Sequence, residues 1–414
     1  MSTAPALSRR AQIMPASPIR KLVPLGDAAK KEGVHVYHLN IGQPDIETPA
    51  EFQDAVNAYK EKVIAYGNSK GLDLFLDSLE AYYQRTGLDI VKEDIVVTTG
   101  GSEALSFAMC AVASPGDEIL VFEPFYTNYN GFAIMGDIQL VPVVTKAETG
   151  FHLPSAEEIE KHITPKTKAI LICNPNNPTG TVLTIDELNT IRDVALKHNL
   201  YVLSDEVYRE FIYEGETKSV LQLEGLEDRA ILLDSLSKRY SLCGGRMGCV
   251  VTKNKELAEV FLRFGQARLC TATLEQVGSA ALVDAGDAYF RPMIDEYRKR
   301  RDATFEELKK IPDVVCLKPN GAFYIMAKLP VADIDDFAAW MLREFRYENE
   351  TVMIAPGPGF YATAGKGNDE ARLAYVLNEK DCRRAIQIIA KGIEAYNALS
   401  PTDMVHERTG VTAT

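Results

Sequence analysis

The sequence predicts an α/β fold, with a large domain built on a mostly parallel central sheet and a smaller α+β domain beside it. Three observations carry that prediction. The chain of 414 residues is longer than one hydrophobic core serves well. From about residue 70, short Val/Ile/Leu-rich runs alternate with helical stretches, which is the pattern of strands covered by helices on both faces. After about residue 290 the alternation gives way to a long charged helix and a mixed remainder.

The elements follow in order. LDLFLDSLEAYYQ (72–84) has helical spacing of its apolar residues and precedes DIVVTTG (94–100), a β-branched run that ends on a glycine. The small-residue stretch GSEALSFAMCAVA (101–113) predicts a helix, followed by strands at EILVFEP (118–124) and IQLVPVV (138–144). AEEIEKHI (156–163), KAILICNP (168–175), IDELNTIRDVALKHN (185–199), LYVLSDEV (200–207), AILLDSLS (230–237) and GCVVTK (248–253) continue the alternation. The large domain is expected to span residues 51–290. Residues 1–50 join 291–400 in the small domain, which contains DAYFRPMIDEYRKRRDATFEELKKI (287–311) at its boundary, VVCLKPNGAFYIMAKLP (314–330), DIDDFAAWMLREF (333–345) and RRAIQIIAKGIEAYNAL (383–399). The last segment, 401–414, is polar and aperiodic, so a poorly ordered tail is expected there.

Composition narrows the function. The formal net charge is −13, and a nucleic-acid or anionic-membrane partner needs a basic face. Mean hydropathy is −0.10, and no apolar run reaches membrane-spanning length. Seven cysteines lie far apart without a CxxC pair, and the six histidines show no metal-ligand spacing. A disulfide framework and a thiolate metal site are therefore disfavoured, and a reducing cytoplasm is expected.

In an open parallel sheet, ligands bind beyond the carboxyl ends of the strands, and unusual residues gather there. TTGGSEAL (98–105) sets Gly101, Ser102 and Glu103 at a helix N-terminus, whose free amides form an anion site; an ordinary N-cap is the plainer reading. It departs from GxGxxG, and GFYATAGKG (359–367) lacks both the spacing and the hydroxyl of a phosphate-binding P-loop. NPNNPTG (174–180) is a turn on its composition, yet the Asn177 amide can donate to a ligand oxygen. Asp205, in SDEVY (204–208), ends an apolar strand, where a carboxylate is costly unless it caps a helix or meets a cation. Tyr208 stands three residues on, on the same face of a helical turn. In SLSKRYSLCGGRMG (235–248), Lys238 is on base rates a solvated cation, but a desolvated lysine forms Schiff bases with carbonyls. Arg246 and Ser235 offer a guanidinium fork and a hydroxyl to a phosphate.

A ligand with a phosphate, a phenolic oxygen, a basic ring nitrogen and an aldehyde satisfies all four sites, and pyridoxal 5′-phosphate has each of them. With LNIGQPD (39–45) and GKGNDEARLAY (365–375), six motifs in order resemble the class I aminotransferases of the fold-type I pyridoxal-phosphate enzymes. That resemblance implies a transaminase working by a ping-pong mechanism. It implies Lys238 as the Schiff-base lysine and proton carrier, and Asp205 on the ring nitrogen. Tyr208 and Asn177 would take the phenolic oxygen, with Gly101, Ser102, Glu103, Ser235 and Arg246 at the phosphate. Tyr126, in EPFYTNY, would stack on the ring, and Arg372 with the backbone at Gly42 would hold the substrate α-carboxylate. Tyr66, in AYGNSKG, would reach the partner subunit's phosphate, implying a homodimer with shared sites.

Amino acids and 2-oxo acids are then the substrates, with aspartate or a similar amino acid and 2-oxoglutarate favoured. Arg268, in GQARLCTATLEQ, is the expected cation for a distal carboxylate, offered from the partner subunit. An arginine pairing at the dimer interface explains it equally well. Aromatic or aliphatic transamination and β-elimination on the same fold are the alternatives. A non-enzymatic sensor is disfavoured by the short stretch before LNIGQPD and by the acidic charge.

Overall fold

A computed structural model describes residues 5–399; the tail expected at 401–414 lies outside the described residues. The first strand, β1 (His35–His38), pairs in parallel with the later strand β10 (Glu350–Met353). The central sheet comprises β2 (Ile95–Thr99), β3 (Glu118–Glu123), β4 (Gln139–Val144), β5 (Thr167–Cys173), β6 (Tyr201–Asp205), β7 (Ala230–Ser235) and β8 (Met247–Val251). Its order is β2-β8-β7-β6-β5-β3-β4. Only β8 runs against its neighbours, antiparallel to both β2 and β7. The sheet is thus mostly parallel, as the alternating pattern predicts. A smaller antiparallel sheet has the order β11-β12-β9, from β9 (Tyr324–Lys328), β11 (Ala355–Pro356) and β12 (Glu370–Ala374).

Helices cover both faces of the central sheet for reasons visible in their sequences. Gly100–Val112 buries Ala104, Leu105, Ala108 and Met109, an i, i+1, i+4, i+5 stripe that packs with Val96, Val121, Leu233 and Val250. On the opposite face, Ile185–His198 buries Leu188, Ile191, Val194 and Ala195 with Ile170, Ile172 and Val202. Each Leu, Ile, Val or Met among them contributes about 1.5–3 kcal/mol on burial. The second helix starts at a reciprocal Thr184–Glu187 capping box. Among the described residues, no helix is long and apolar enough to cross a membrane, and no group of His, Cys, Asp and Glu is arranged to hold a metal.

One close approach positions the strand ends. A Cβ on Gly248 would lie 2.6 Å from the Asp234 carbonyl oxygen and 2.6 Å from the Gly100 carbonyl carbon. Only glycine lets β8 run this near the turn between β2 and its helix. Gly100 adopts φ +71°, and a Cβ there would meet the Arg246 guanidinium at 2.5 Å.

Candidate active site

The carboxyl ends of β2, β6 and β7 converge on a cavity of about 410 Å³, closed on its far side by residues of the small sheet and of the chain's N-terminal segment. Gly101, Ser102, Tyr126, Asn177, Asp205, Tyr208, Ser235, Lys238, Arg246, Arg372 and Gly42 all line it. Residues separated by more than three hundred positions thus share one space.

Lys238 sits on the four-residue helix Leu236–Arg239 that follows β7, with Ser235 as its N-cap. Its ammonium donates to the Gly42 carbonyl at 2.9 Å and lies 3.9 Å from Cys243 Sγ. Burial pushes its pKa below the ordinary lysine value, and the cations Arg372 and Arg246 push the same way. The solvated surface cation of the plain reading is thereby excluded, because a lowered amine pKa favours the nucleophilic neutral form.

The turn that carries Lys238 is stapled from below. Arg239 Nη1 reaches both oxygens of Asp234 at 2.7 and 2.8 Å, with both side chains out of contact with solvent. Asp234 also accepts the Ser235 amide at 2.7 Å and the Tyr83 hydroxyl at 2.8 Å, while the Arg239 guanidinium lies 4.1 Å over the Tyr82 ring. These partners offset much of the desolvation of the buried pair, although Arg239 Nε has no acceptor.

Asp205 closes β6 with its carboxylate toward the cavity. Tyr129 donates its hydroxyl to Oδ2 at 2.7 Å, and the Val207 amide lies 3.4 Å from Oδ1. Burial raises the pKa to about 6, against the lowering effect of those two donors. No salt bridge to Asp205 forms among the described residues, and its partners are the neutral Tyr129 and Val207 donors. Tyr208, buried, receives the Asn177 side-chain amide at 3.4 Å and shares a 2.9 Å hydrogen bond with the Tyr324 hydroxyl.

Arg372 projects from β12 and is buried at 2% exposure. It donates to Asn177 Oδ1 at 3.1 Å and to the Asn40 carbonyl, and stacks 4.6 Å over the Tyr324 ring. Its Nε is buried with no acceptor, and no carboxylate pairs with it among the described residues. Such a guanidinium is set for an incoming anion. At the other end, Arg246 lies in the left-handed region with φ +50° and is braced by the Cys243 carbonyl at 3.0 Å. Ser235 Oγ stands 2.8 Å from Ser237 Oγ, and helix Gly100–Val112 begins beside them with no side-chain cap on its first amides. These amides, hydroxyls and guanidinium suit a phosphate. Together with an unpaired carboxylate for a ring cation and a desolvated lysine for an aldehyde, the donor set fits the cofactor that the motifs imply.

Three of the expected residues do not line this cavity. Glu103 folds back to accept the Thr99 amide at 2.7 Å, and its other oxygen lies 3.7 Å from Arg268 Nε. Arg268 turns its guanidinium to the Val97 carbonyl at 3.2 Å and the Ser69 carbonyl at 3.4 Å, so within its own chain it braces a loop. Tyr66 is 82% exposed and stands away from the cavity. Sequence reading also missed several residues that do line it: Tyr324, Ser237, Cys243 and, from the N-terminal segment, Ser17, Ile19 and Arg20. Tyr324 lay in the run GAFY, which reads simply as a strand.

Comparison with known proteins agrees with this geometry. The profile of the aminotransferase class I and II family matches residues 34–389. An aspartate aminotransferase of Sulfurisphaera tokodaii is 32% identical over 377 residues, covering 88% of this chain and 92% of the relative. An aromatic-amino-acid aminotransferase of Thermococcus litoralis is 32% identical over 397 residues, covering 91% and 99%. The solved structure of Thermus thermophilus aspartate aminotransferase with maleate superposes with a TM-score of 0.85 at 28% identity, covering 94% of this chain and 100% of that one. The chain therefore belongs to the class I and II aminotransferase family and is a pyridoxal-phosphate-dependent transaminase of fold type I.

Proposed function

We propose that this cavity transfers the amino group of a dicarboxylic amino acid, aspartate or a close analogue, to a 2-oxo acid such as 2-oxoglutarate, in two half-reactions at one site. The observation that carries the substrate class is the charge of the lining, in which Arg20, Lys238, Arg246 and Arg372 face a single carboxylate, Asp205. Once Arg246 is matched to a phosphate and Arg372 to an α-carboxylate, one guanidinium of the lining, Arg20, still has no anion assigned to it.

Pyridoxal phosphate, when bound, supplies an aldehyde that condenses with amines and a protonated ring that withdraws electrons from the substrate Cα. The chain's residues do the rest. Asp205, its own pKa raised by burial to about 6, would hold the proton on the ring nitrogen. Tyr208 and Asn177 donate to the phenolic oxygen. The amides of Gly101 and Ser102, with Ser235 and Arg246, would hold the phosphate, and Tyr126 would stack on the ring. Arg372 takes the α-carboxylate by its fork, beside the Gly42 backbone. Lys238 Nζ, its lowered pKa suited to a base near neutrality, carries the proton between the substrate Cα and the cofactor's C4′.

The enzyme acts as a homodimer in this reading. Val63, Ile64 and Tyr66 are 74%, 60% and 82% exposed, an apolar run that a second copy would cover, with Tyr66 at the partner's phosphate and Arg268 near the shared boundary. Seven free cysteines suit the cytoplasm. A second reading, an aromatic or aliphatic donor, is favoured by the apolar mouth of Ile19, Ile41, Leu105 and Phe132. Single-turnover rates with aspartate, glutamate, alanine, leucine and phenylalanine decide between them. Faster conversion of the two diacids supports the proposal, and faster conversion of phenylalanine or leucine overturns it.

A further inference from the structure

We infer that Arg20, in the chain's own N-terminal segment, is the residue that selects a substrate by receiving its side-chain carboxylate. The inference rests on the transaminase reading above and assigns its specificity to one side chain. Three of the four basic residues lining the cavity already have a role in that reading, as Lys238 serves the aldehyde carbon, Arg246 the phosphate and Arg372 the α-carboxylate. Arg20 is the one left over.

Its surroundings support the assignment. The Arg20 side chain has no hydrogen-bond or salt-bridge partner among the described residues, whereas the next residue, Lys21, is paired with Asp335 at 2.5 Å. Neighbouring cations thus have opposite fates, one neutralised outside and the other turned to the cavity. The field of Arg20 reaches the cavity's aromatic wall, since it acts to lower the pKa of the Tyr126 hydroxyl alongside Arg372 and Arg246.

The segment is also held in place. Pro18 packs on Gly359 so closely that a Cβ there would come 2.7 Å from Pro18 Cγ. Ile19 packs on the cluster of Phe151, Met326, Ala355 and Phe360. The Ile19 carbonyl accepts the Asn40 side chain at 3.5 Å, and the Asn40 carbonyl accepts Arg372. One residue, Asn40, therefore ties the backbone that carries Arg20 to the guanidinium that takes the α-carboxylate. Two cations mounted on one frame measure the separation of two carboxylates. A monocarboxylic substrate leaves Arg20 in water at little cost, because it is exposed, so the device selects for diacids without excluding other amino acids.

The test uses the cofactor-loaded protein and two readouts, the dissociation constant of maleate by calorimetry and single-turnover rates with aspartate and alanine. Arg20→Gln is expected to weaken maleate about 10- to 100-fold, the range for removing one partner of a charge-assisted hydrogen bond. The aspartate-to-alanine rate ratio falls with it. Arg20→Lys recovers part of both, as a point charge without the fork, and Lys21→Gln changes neither. Since Arg20 has no partner to lose, folding is not at stake. An unchanged maleate affinity in Arg20→Gln, or a selective diacid loss in Arg268→Gln instead, overturns the assignment while leaving the diacid reading intact. A wild-type protein that converts alanine faster than aspartate overturns both.

Discussion

Asp205→Asn separates what stabilises this protein from what makes it work. In the cofactor-free protein the Asp205 carboxyl is held at about 6 against an unperturbed 3.8. That difference of roughly two units corresponds to up to about 3 kcal/mol at 1.36 kcal/mol per unit. The folded pKa is above the unfolded one, so the folded state binds more protons between them. Stability is then fully present below pH 3.8 and falls as pH rises through about 6. Asparagine removes the charge but keeps only one oxygen for the Tyr129 and Val207 donors, a loss of about 1 kcal/mol. Cofactor-free Asp205→Asn is accordingly expected to be about 2 kcal/mol more stable than wild type at pH 8, and no more stable at pH 4. Urea midpoints of the two apoproteins at both pH values measure this. Adding pyridoxal phosphate should reverse the order at pH 8, because the ring cation supplies the partner that only the carboxylate can use. An apoprotein variant less stable than wild type at pH 8 would refute the reasoning, since Asp205 would then already have its cation within the chain.

Two further substitutions probe the clamp and the phosphate turn. Arg372→Lys leaves Asn177 Oδ1 and the Asn40 carbonyl without a planar fork, and kcat/KM should fall about 10²-fold or more for every amino acid, mono- or dicarboxylic alike; a loss confined to diacids in steady-state assays would contradict its place at the α-carboxylate. Gly248→Ala drives a Cβ to 2.6 Å from two backbone atoms, so the Gly100–Gly101 turn must move. We expect about 1–3 kcal/mol of destabilisation and a clearly weaker pyridoxal-phosphate dissociation constant by fluorescence titration, with wild-type affinity as the contrary result.

Much of the site was legible because its residues stand where a periodic element stops. Asp205 and Ser235 end apolar strands, and Gly101 stands in the first turn of a helix, so local pattern alone put them at one edge of a parallel sheet. What could not be read was direction and company. The run GCVVTK has strand composition whichever way it points, and only the pairing makes β8 the antiparallel member. Arg268 carries the right charge at a plausible place, but what surrounds it, the Val97 and Ser69 carbonyls at Nη2 and buried Nε and Nη1 without a hydrogen-bond partner, depends on contacts across many positions that no window of sequence contains. Tyr324 sits in a strand whose inward face is defined by the distant Tyr208 hydroxyl. Arg20 lies in a stretch without periodicity, and its importance comes from Pro18 meeting Gly359 and Ile19 meeting Asn40. The Asp234–Arg239 pair flanks the signature lysine, but a charge pair five residues apart is unremarkable until both are found buried.

The central claim is that Lys238 carries the cofactor, and covalent mapping tests it most directly. The protein is loaded with pyridoxal phosphate, reduced with borohydride, digested and sequenced by mass spectrometry. The account predicts one reduced pyridoxyl adduct, on the peptide containing Lys238, and none in Lys238→Ala. An adduct on another lysine in the wild type, or equal labelling of the variant, would contradict it.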